Sequence, residues 1–325
     1  MSCTRREYLA RGLAGATALV CAGARAQAFP DRPLRMVVPF PPGGPTDIFG
    51  RIIAAKLSAH LGQQVVVHNR PGAGSILGTD FVAKSRPDGY TILFGTAAHA
   101  INASLYKKLP YDSLGDFDPI ALVGVVPLVL LAPPRMPDNL KDFVVQIRAS
   151  PDRYTFASSG VGTVNHLAGE MLNAAEGLKA RHIPYKGAAP ALQGLLGGEV
   201  SFMFETFGTA LPHLQSGKLR AIAVAWNKRS SAAAEVPTFT EAGMPGFQAA
   251  TWNTVSAPAG TPAPVVARLN AAINEVMRES SVTEQMFKLG IAAVDDSTPQ
   301  SCREMIAAEI KRWAAAVQSS GATAE

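Results

Sequence analysis

Two short loops hold the residue types best suited to chemistry in this sequence. The first, "PFPPGGPTD", ends at Asp47, and the second, "ASSGVGTVNHLAGE", covers residues 157–170. Each loop follows an apolar, strand-like segment and opens a segment with helical periodicity. Free backbone N–H groups and the helix dipole at such a helix start favour a bound anion. The sequence therefore predicts two anion-binding loops.

The first loop has the residue types of a tight turn into a helix. Gly43 and Gly44 let a ligand approach the backbone closely, and Pro45 suits the first helical position. Thr46 or Asp47 is expected to cap the helix. Neither the Gly-Lys-Ser/Thr of a phosphate loop nor the glycine spacing of a dinucleotide site follows. Taken alone, this loop favours a capped helix with no ligand.

The second loop strengthens the case for a ligand. Hydroxyl and backbone donors occur together at Ser158, Ser159, Gly160, Gly162 and Thr163. Charge-assisted hydrogen bonds contribute about 1.5–3 kcal/mol each. Three or four of them, donated from two facing loops, could supply the roughly 8 kcal/mol of micromolar binding after ordering costs. An alternative is a hydrolase in which Ser158 or Ser159 is the nucleophile and His166 the base, although Gly-x-Ser-x-Gly is absent.

The elements that must position these loops alternate between strand and helix. The first set predicts strands at 34–40, 63–69 and 90–95 and helices at 47–61 and 75–85. The second set predicts helices at 138–149, 163–176, 188–196 and 208–216 and strands at 154–158, 181–185, 200–204 and 219–225. Short apolar strands separated by helices indicate parallel βαβ units.

Two long extended segments, 116–134 and 247–260, interrupt the alternation and predict chain crossings between two domains. The sequence therefore predicts an α/β fold of two doubly wound domains joined by two crossing strands, with a ligand cleft between them. Domain 1 is expected at 27–126 and 252–325, and domain 2 at 127–251. Helices near 262–279, 281–289 and 299–319 have no strong strand between them and should pack on domain 1. Ligands of such sheets bind outside the carboxyl ends of the strands.

The first 26 residues predict an export signal. Arg5 and Arg6 precede an apolar run, and "ARA" before Gln27 has the small-x-small cleavage pattern. The arginine pair resembles a twin-arginine signal, and an ordinary secretory signal is the alternative. No later stretch is long and apolar enough to span a bilayer. We therefore expect a soluble, periplasmic protein.

Composition excludes several classes of function. The chain has 325 residues, of which 47% are hydrophobic and 17% charged, so it should be globular. The formal charge of +5 includes four arginines and one glutamate of the signal, which leaves about +2 without it. A protein with so little net charge and no basic run predicts no nucleic-acid partner. Only Cys302 lies outside the signal, so no internal disulfide can form.

The histidines do not predict a metal site, and no motif predicts a cofactor. Surface or structural roles are expected, because metal-ligand spacing is lacking for His60, His68, His99, His182 and His213.

Several further motifs, in chain order, carry a resemblance to a known family. They include "PFPPGGPTD", "NRPGAGS", "LPYDSLGDFDPIALV", "ASSGVGTVNHLAGE", "IPYKGAAPALQGLLGGEVSFMFE", "VPTFTEAGMPGF" and "APAGTPAPVVARLN". The chain resembles the Bug (TctC-like) family of periplasmic solute receptors that serve tripartite tricarboxylate transporters. The resemblance implies a type II periplasmic-binding-protein fold, hinged closure, small carboxylate ligands, and the large and small membrane subunits of a transporter as partners. It implies no enzymatic activity, and we expect a monomer.

The resemblance also assigns site residues. It places a first carboxylate loop at Pro42, Gly43, Gly44, Pro45, Thr46 and Asp47. It places a second at Ser158, Ser159, Gly160, Gly162 and Thr163, with His166 on the helix behind. Thr96 and Ala97 should line the domain 1 wall, and Lys186 and Gly187 should begin the next helix of domain 2. Asp47 is assigned to capping and loop shape before direct contact.

One departure from the family leaves the ligand open. Glu205 stands where the family usually has Asp, so specificity inferred from relatives is in doubt. A dicarboxylate, a tricarboxylate, an amino acid or an aromatic acid all fit, and the scarcity of Lys and Arg in the loops disfavours a triple charge. A receptor that presents the same ligand to a membrane sensor kinase is the alternative to transport.

Overall fold

The computed structural model describes residues 29–230 and 232–323, so the export signal predicted over residues 1–26 lies outside the described part. Its strands are β1 (Leu34–Val38), β2 (Val65–Asn69), β3 (Thr91–Thr96), β4 (Phe117–Ala132), β5 (Thr155–Ser158), β6 (Arg181–Pro184), β7 (Phe202–Thr206), β8 (Arg220–Val224), β9 (Ala250–Pro258) and β10 (Ala292–Ala293). Its α-helices are α1 (Pro45–Leu61), α2 (Ile76–Ala83), α3 (Ala98–Leu105), α4 (Leu140–Arg148), α5 (Val164–Glu176), α6 (Ala188–Gly197), α7 (Phe207–Gln215), α8 (Ala263–Arg278), α9 (Ser280–Lys288) and α10 (Pro299–Ser320).

The strands pair in two parallel groups that two long antiparallel strands connect. The order is β2-β1-β3-β9-β4-β7-β5-β6, and β8 and β10 pair with β4. β1 is parallel to β2 and β3, and β5 is parallel to β6 and β7, as the predicted βαβ units require. β4 and β9 correspond to the two predicted crossings. The boundaries of the two domains remain a prediction.

The carboxyl ends of the two parallel groups face each other along β4. Thr96, at the end of β3, pairs with Asn253 of β9, which in turn pairs with Gly124 of β4. Thr206, at the end of β7, pairs with Leu128 of β4, and β7 runs toward β3. Gly124 and Leu128 are four residues apart on β4, which corresponds to roughly 13 Å of extended strand. The segments that follow these strand ends therefore lie at the two ends of the same short stretch of β4.

Apolar side chains from the helices cover both parallel groups. Phe49 of α1 packs edge-on against Phe94 of β3 at 5.3 Å, and Phe156 of β5 stacks on Phe202 of β7 at 5.5 Å. All four rings are buried, as expected of the periodic apolar positions that face a sheet.

The last helices contact both groups of strands and their helices, whereas the sequence predicts contacts with domain 1 alone. α8 packs against α1 and β4, as expected for helices that return to domain 1. α10 contacts α3 and β4 but also α5, which follows the second group of strands. Cys302 is buried and unpaired at the start of α10. Among the described helices, none combines the length and apolar character that a membrane crossing needs.

Three local features differ from the sequence prediction. α1 begins at Pro45 rather than residue 47, α3 was not predicted, and β10 is a two-residue strand between the last helices. α3 has only eight residues, in "AHAINASL", which is too short for a clear helical period.

Candidate functional site

Loop one, residues 42–47, is shaped by a buried carboxylate. Asp47 is only 2% exposed. Its Oδ2 accepts hydrogen bonds from the N–H of Gly43 at 2.8 Å and from Nε of Arg51 at 2.9 Å. Its Oδ1 accepts from Nδ2 of Asn69 at 2.8 Å. The carboxylate thus ties the glycine turn to both α1 and the end of β2.

The predicted helix cap in loop one is wrong. The N-cap is Gly44, which has no side chain, and Pro45 takes the first helical position. Thr46 and Asp47 lie inside the first turn, where the Asp47 carboxylate reaches back to Gly43 instead of capping. Of the roles expected of Asp47, the structure thus shows loop shape but not capping.

The charge of Asp47 is balanced locally. The hydrogen bond from Arg51 holds the pKa of Asp47 at about 2, and the bonds from Gly43 and Asn69 act in the same direction against the effect of burial. Asp47 is therefore ionised at neutral pH, and the Arg51 guanidinium neutralises it. An anionic ligand at this loop would meet little net repulsion.

The end of β3 opens directly into α3. Thr96 and Ala97 are both buried there, and Thr96 Oγ1 accepts from the N–H of Ala98 at 3.3 Å. The predicted wall residues thus lie at a further helix start on the same sheet edge.

Loop two, residues 158–163, connects β5 to α5. Thr163 is the N-cap of α5, and its Oγ1 accepts from the N–H of His166 at 3.4 Å and donates to the carbonyl of Gly160 at 2.8 Å. Gly162 has φ +74° and donates its N–H to Nδ1 of His166 at 3.1 Å. His166 therefore lies behind the loop, as predicted, and fixes its backbone.

Ser158 is held by His182, a residue that sequence reasoning assigned no role in the site. The fully buried Ser158 Oγ lies 2.6 Å from His182 Nε2, accepts from the N–H of Gly160 and donates to the carbonyl of Gly160. The His182 ring stacks on His166 at 3.8 Å, and burial, with the nearby His166, lowers the pKa of His182 to about 4.

The hydrogen bonds of loop two do not form the hydrolase arrangement given as an alternative, because neither serine hydroxyl is bonded to His166. Nδ1 of His166 is engaged by the Gly162 N–H, so it is no base for a loop serine. Ser158 is buried, and Ser159 donates to Oδ1 of Asn165 at 3.2 Å. Neither serine has the exposed position beside a base that a nucleophile needs.

Glu205 reaches loop two through Asn165. Glu205 ends the apolar part of β7, and its Oε1 accepts from the N–H of Thr206 at 2.7 Å. Asn165 Nδ2 donates to the carbonyl of Phe204 at 2.7 Å and lies 3.5 Å from Glu205 Oε2. Burial raises the pKa of Glu205 above its ordinary value.

Asn165 and His182 are the residues that sequence reasoning missed. Asn165 stands inside the quoted "GTVNHLAGE" motif, one residue before His166. His182 faces Phe156 across the parallel pair of β5 and β6, so pairing the two predicted strands would have found it.

The "YKG" segment, which contains Lys186 and Gly187, lies beside loop two. The N–H of Tyr185 donates to the carbonyl of Ser158 at 3.0 Å. Gly187 is the N-cap of α6, with φ +120°, and Lys186 is exposed.

Loop two also touches the first group of elements. A Cβ added at Gly162 would lie 2.1 Å from Cδ2 of Leu105, the last residue of α3. Because α3 begins directly after Thr96 and Ala97, one short helix links that strand end to loop two.

Solved structures with this architecture define the class of protein. The periplasmic binding protein BugD is 36% identical, with a TM-score of 0.79 that covers 91% of this chain and 100% of that one. MatC from Rhodopseudomonas palustris with bound malate is 36% identical, with a TM-score of 0.78 over 89% of this chain and 100% of that one. A second R. palustris protein with adipate is 34% identical, with a TM-score of 0.81 over 91% and 99%. The chain therefore has the periplasmic-binding-protein fold.

The chain belongs to the tripartite tricarboxylate transporter family receptors (TctC), whose family model matches residues 49–322. It is similar to protein BugT of Bordetella pertussis (strain Tohama I), with 42% identity over 314 residues that cover 96% of each chain. The family resemblance predicted from the motifs is confirmed. The family is one of solute-binding receptors rather than enzymes.

Proposed function

We propose that this protein is an extracytoplasmic receptor that captures a small dicarboxylate between loop one and loop two. The observation that carries the proposal is the register of β4. It brings the carboxyl ends of β3 and β7 together, so the loops of both parallel groups open toward the same space.

Hydrogen-bond donors rather than opposite charge would hold the ligand. The helix starts at Gly44 and Thr163 offer backbone N–H groups. These loops contain neither lysine nor arginine, which fits one carboxylate at the helix starts better than a tricarboxylate. Two similar structures hold malate and adipate, and both ligands are dicarboxylates.

Glu205 would lie on the side of the second carboxylate of the ligand. Burial raises the pKa of Glu205, which reduces the cost of protonating it beside a ligand carboxylate. We place the second carboxylate of the ligand on the side of Glu205 and Asn165, where the longer Glu side chain would change the preferred chain length relative to an Asp.

Closure follows from the positions of the loops. A ligand that bridges them binds the closed form better than the open form, and its differential affinity shifts the equilibrium to the closed form. The closed form would then dock on the membrane subunits of a tripartite tricarboxylate-type transporter.

A thermal-shift screen of the refolded protein without residues 1–26 tests the ligand. The panel contains malate, adipate, citrate, glutamate and an aromatic acid. Ligand at a hundred times its Kd should stabilise the protein by about 2.7 kcal/mol. We expect a shift with one linear dicarboxylate and none with citrate. A panel without any shift would contradict the proposal.

Pull-down from membranes with the ligand-loaded protein tests the partner. Transporter subunits should be recovered, whereas recovery of a sensor kinase alone would assign the same site to signalling.

A further inference from the structure

A basic groove lies on the first group of strands, outside both loops. α1 packs on one face of β1 and β2, whereas α2 packs on β1 and β3. The outer face of the edge strand β2 is thereby left uncovered, with Val66 41% exposed. The resulting groove has a volume of about 760 Å³. No residue of loop one or loop two lines it.

Positive charge is in excess in this groove. Its two lining carboxylates are already paired, Asp88 with Arg32 at 2.9 Å and Asp80 with Lys84 at 2.7 Å. Three more arginines line the groove, and within residues 29–230 and 232–323 they form no ion pair: Arg35, Arg70 and Arg86.

An aromatic ring holds two of these arginines in place. The Arg70 guanidinium lies 3.8 Å and that of Arg35 5.8 Å from the centre of the Phe81 ring. Stacking of this kind orients the planar guanidinium but uses none of its N–H donors, which match a carboxylate in a bidentate geometry. Both side chains are therefore positioned for an anion that the described residues do not supply.

We propose that this groove binds an extended, acidic segment of a partner protein. Carboxylates of the segment would pair with Arg35 and Arg70, and apolar side chains between them would cover Val66 and Leu77, which is 59% exposed. β2 is one of the two edge strands in the order of the described sheet, so its outward backbone groups are able to pair with an added strand. Apolar floor and strand edge together suit a peptide better than a nucleic acid or a lipid headgroup.

The chain's own remaining segments do not fit this role. Residues 1–28 contain four arginines and one glutamate, so they carry the same sign of charge as the groove. The proposal also stands apart from the carboxylate site, because it involves none of the loop residues.

Fluorescence anisotropy with a short labelled peptide of alternating glutamate and valine tests the proposal. The test variant is Arg35→Glu with Arg70→Glu. The control is Lys218→Glu with Lys228→Glu, which changes the net charge equally at exposed positions outside the groove. We expect the Kd to rise about a hundredfold in the test variant and less than about threefold in the control, because two charge-assisted contacts are lost only in the first.

Two milder variants test binding in case the charge-reversed variant fails to fold. Arg35→Gln with Arg70→Gln removes the charges without reversing them and should still raise the Kd at least about tenfold. Phe81→Leu keeps both charges but removes the ring, and should raise the Kd by about threefold. Equal weakening by the test and control pairs would overturn the proposal. So would the absence of peptide binding at millimolar concentration, or tighter binding of phosphatidylglycerol vesicles or a DNA oligomer than of the peptide.

Discussion

Loop one and loop two are held in shape by opposite means. Both follow a parallel strand and begin a helix. Loop one is fixed by an ionised group, Asp47, whose partners include Arg51. Loop two is fixed by uncharged groups, the Ser158 hydroxyl and the stacked rings of His166 and His182.

The anion site that we propose would thus be built in two ways, neither of which uses a free positive charge. In loop one the carboxylate and guanidinium cancel, so the backbone N–H groups and the dipole dominate. In loop two the low pKa of His182 keeps that ring neutral, so the loop offers only dipoles and hydroxyls. The two loops should therefore differ in their response to mutation and to pH.

The largest effect is expected from Asp47→Asn, which removes the charged anchor of loop one. Hydrogen bonds to a buried carboxylate are worth about 1.5–3 kcal/mol each, and the amide satisfies fewer donors. We expect the free energy of unfolding to fall by about 3 kcal/mol. Urea denaturation at neutral pH measures it.

Asp88→Asn is the matched control for that variant. Asp88 forms an ion pair with Arg32 in which both side chains are at least 36% exposed, so less than about 1 kcal/mol should be lost. Equal losses of unfolding free energy in the two variants would show that the charge of Asp47 stabilises loop one no more than an exposed ion pair does.

The second effect is expected from Ser158→Ala, which removes the neutral anchor of loop two. The N–H of Gly160 and Nε2 of His182 would lose a partner in a buried place, at a cost of about 2 kcal/mol. Ser159→Ala, in the same loop, removes one half-exposed bond to Asn165 and should cost less than about 1 kcal/mol. A reversed order in urea denaturation would contradict the assignment of Ser158 as the anchor.

Local periodicity predicted most of this fold, and long-range contacts explain what it missed. β1, α1 and the parallel groups follow from apolar spacing within each segment. The anchors of the loops do not, because Asp47 meets Asn69 and Ser158 meets His182 more than twenty residues away. Such partners depend on which strands become neighbours. The motifs located both loops by their position after a strand, but the hydrogen bonds that shape them required the sheet order.

The third effect is a pH response of loop two that has no counterpart in loop one. Folding lowers the pKa of His182 to about 4 from 6.5, so the folded state disfavours its protonated form. The stability from this ring is complete above pH 6.5 and is lost as the pH falls toward 4. The full shift corresponds to about 3 kcal/mol, and because the ring is only half-buried we expect solvent screening to reduce the loss to roughly 1–2 kcal/mol. Asp47, with a pKa of about 2, responds only as the pH falls below 3.8.

The variant His182→Gln isolates the contribution of this histidine to the pH dependence of stability, because glutamine does not titrate. The difference in unfolding free energy between the wild-type protein and the variant should narrow between about pH 7 and about pH 4.5. His60 also titrates, because its hydrogen bond to Glu279 raises its pKa. Its contribution is the same in both proteins, so it cancels when their unfolding free energies are subtracted. A constant difference across the window would contradict a neutral His182.

The smallest effect on stability, and the sharpest on function, is expected from Gly43→Ala. Gly43 and Gly62 bracket α1, have φ +82° and +68°, and leave an added Cβ with no atom within 4 Å. Alanine at either position should cost about 1 kcal/mol of stability, because the left-handed backbone is strained equally. Only Gly43 donates to Asp47 inside loop one, so only its variant should also weaken dicarboxylate binding, by about tenfold in calorimetric titration. Equal ligand affinities in the two variants would show that loop one does not contact the ligand. Loop two would then bind it without loop one.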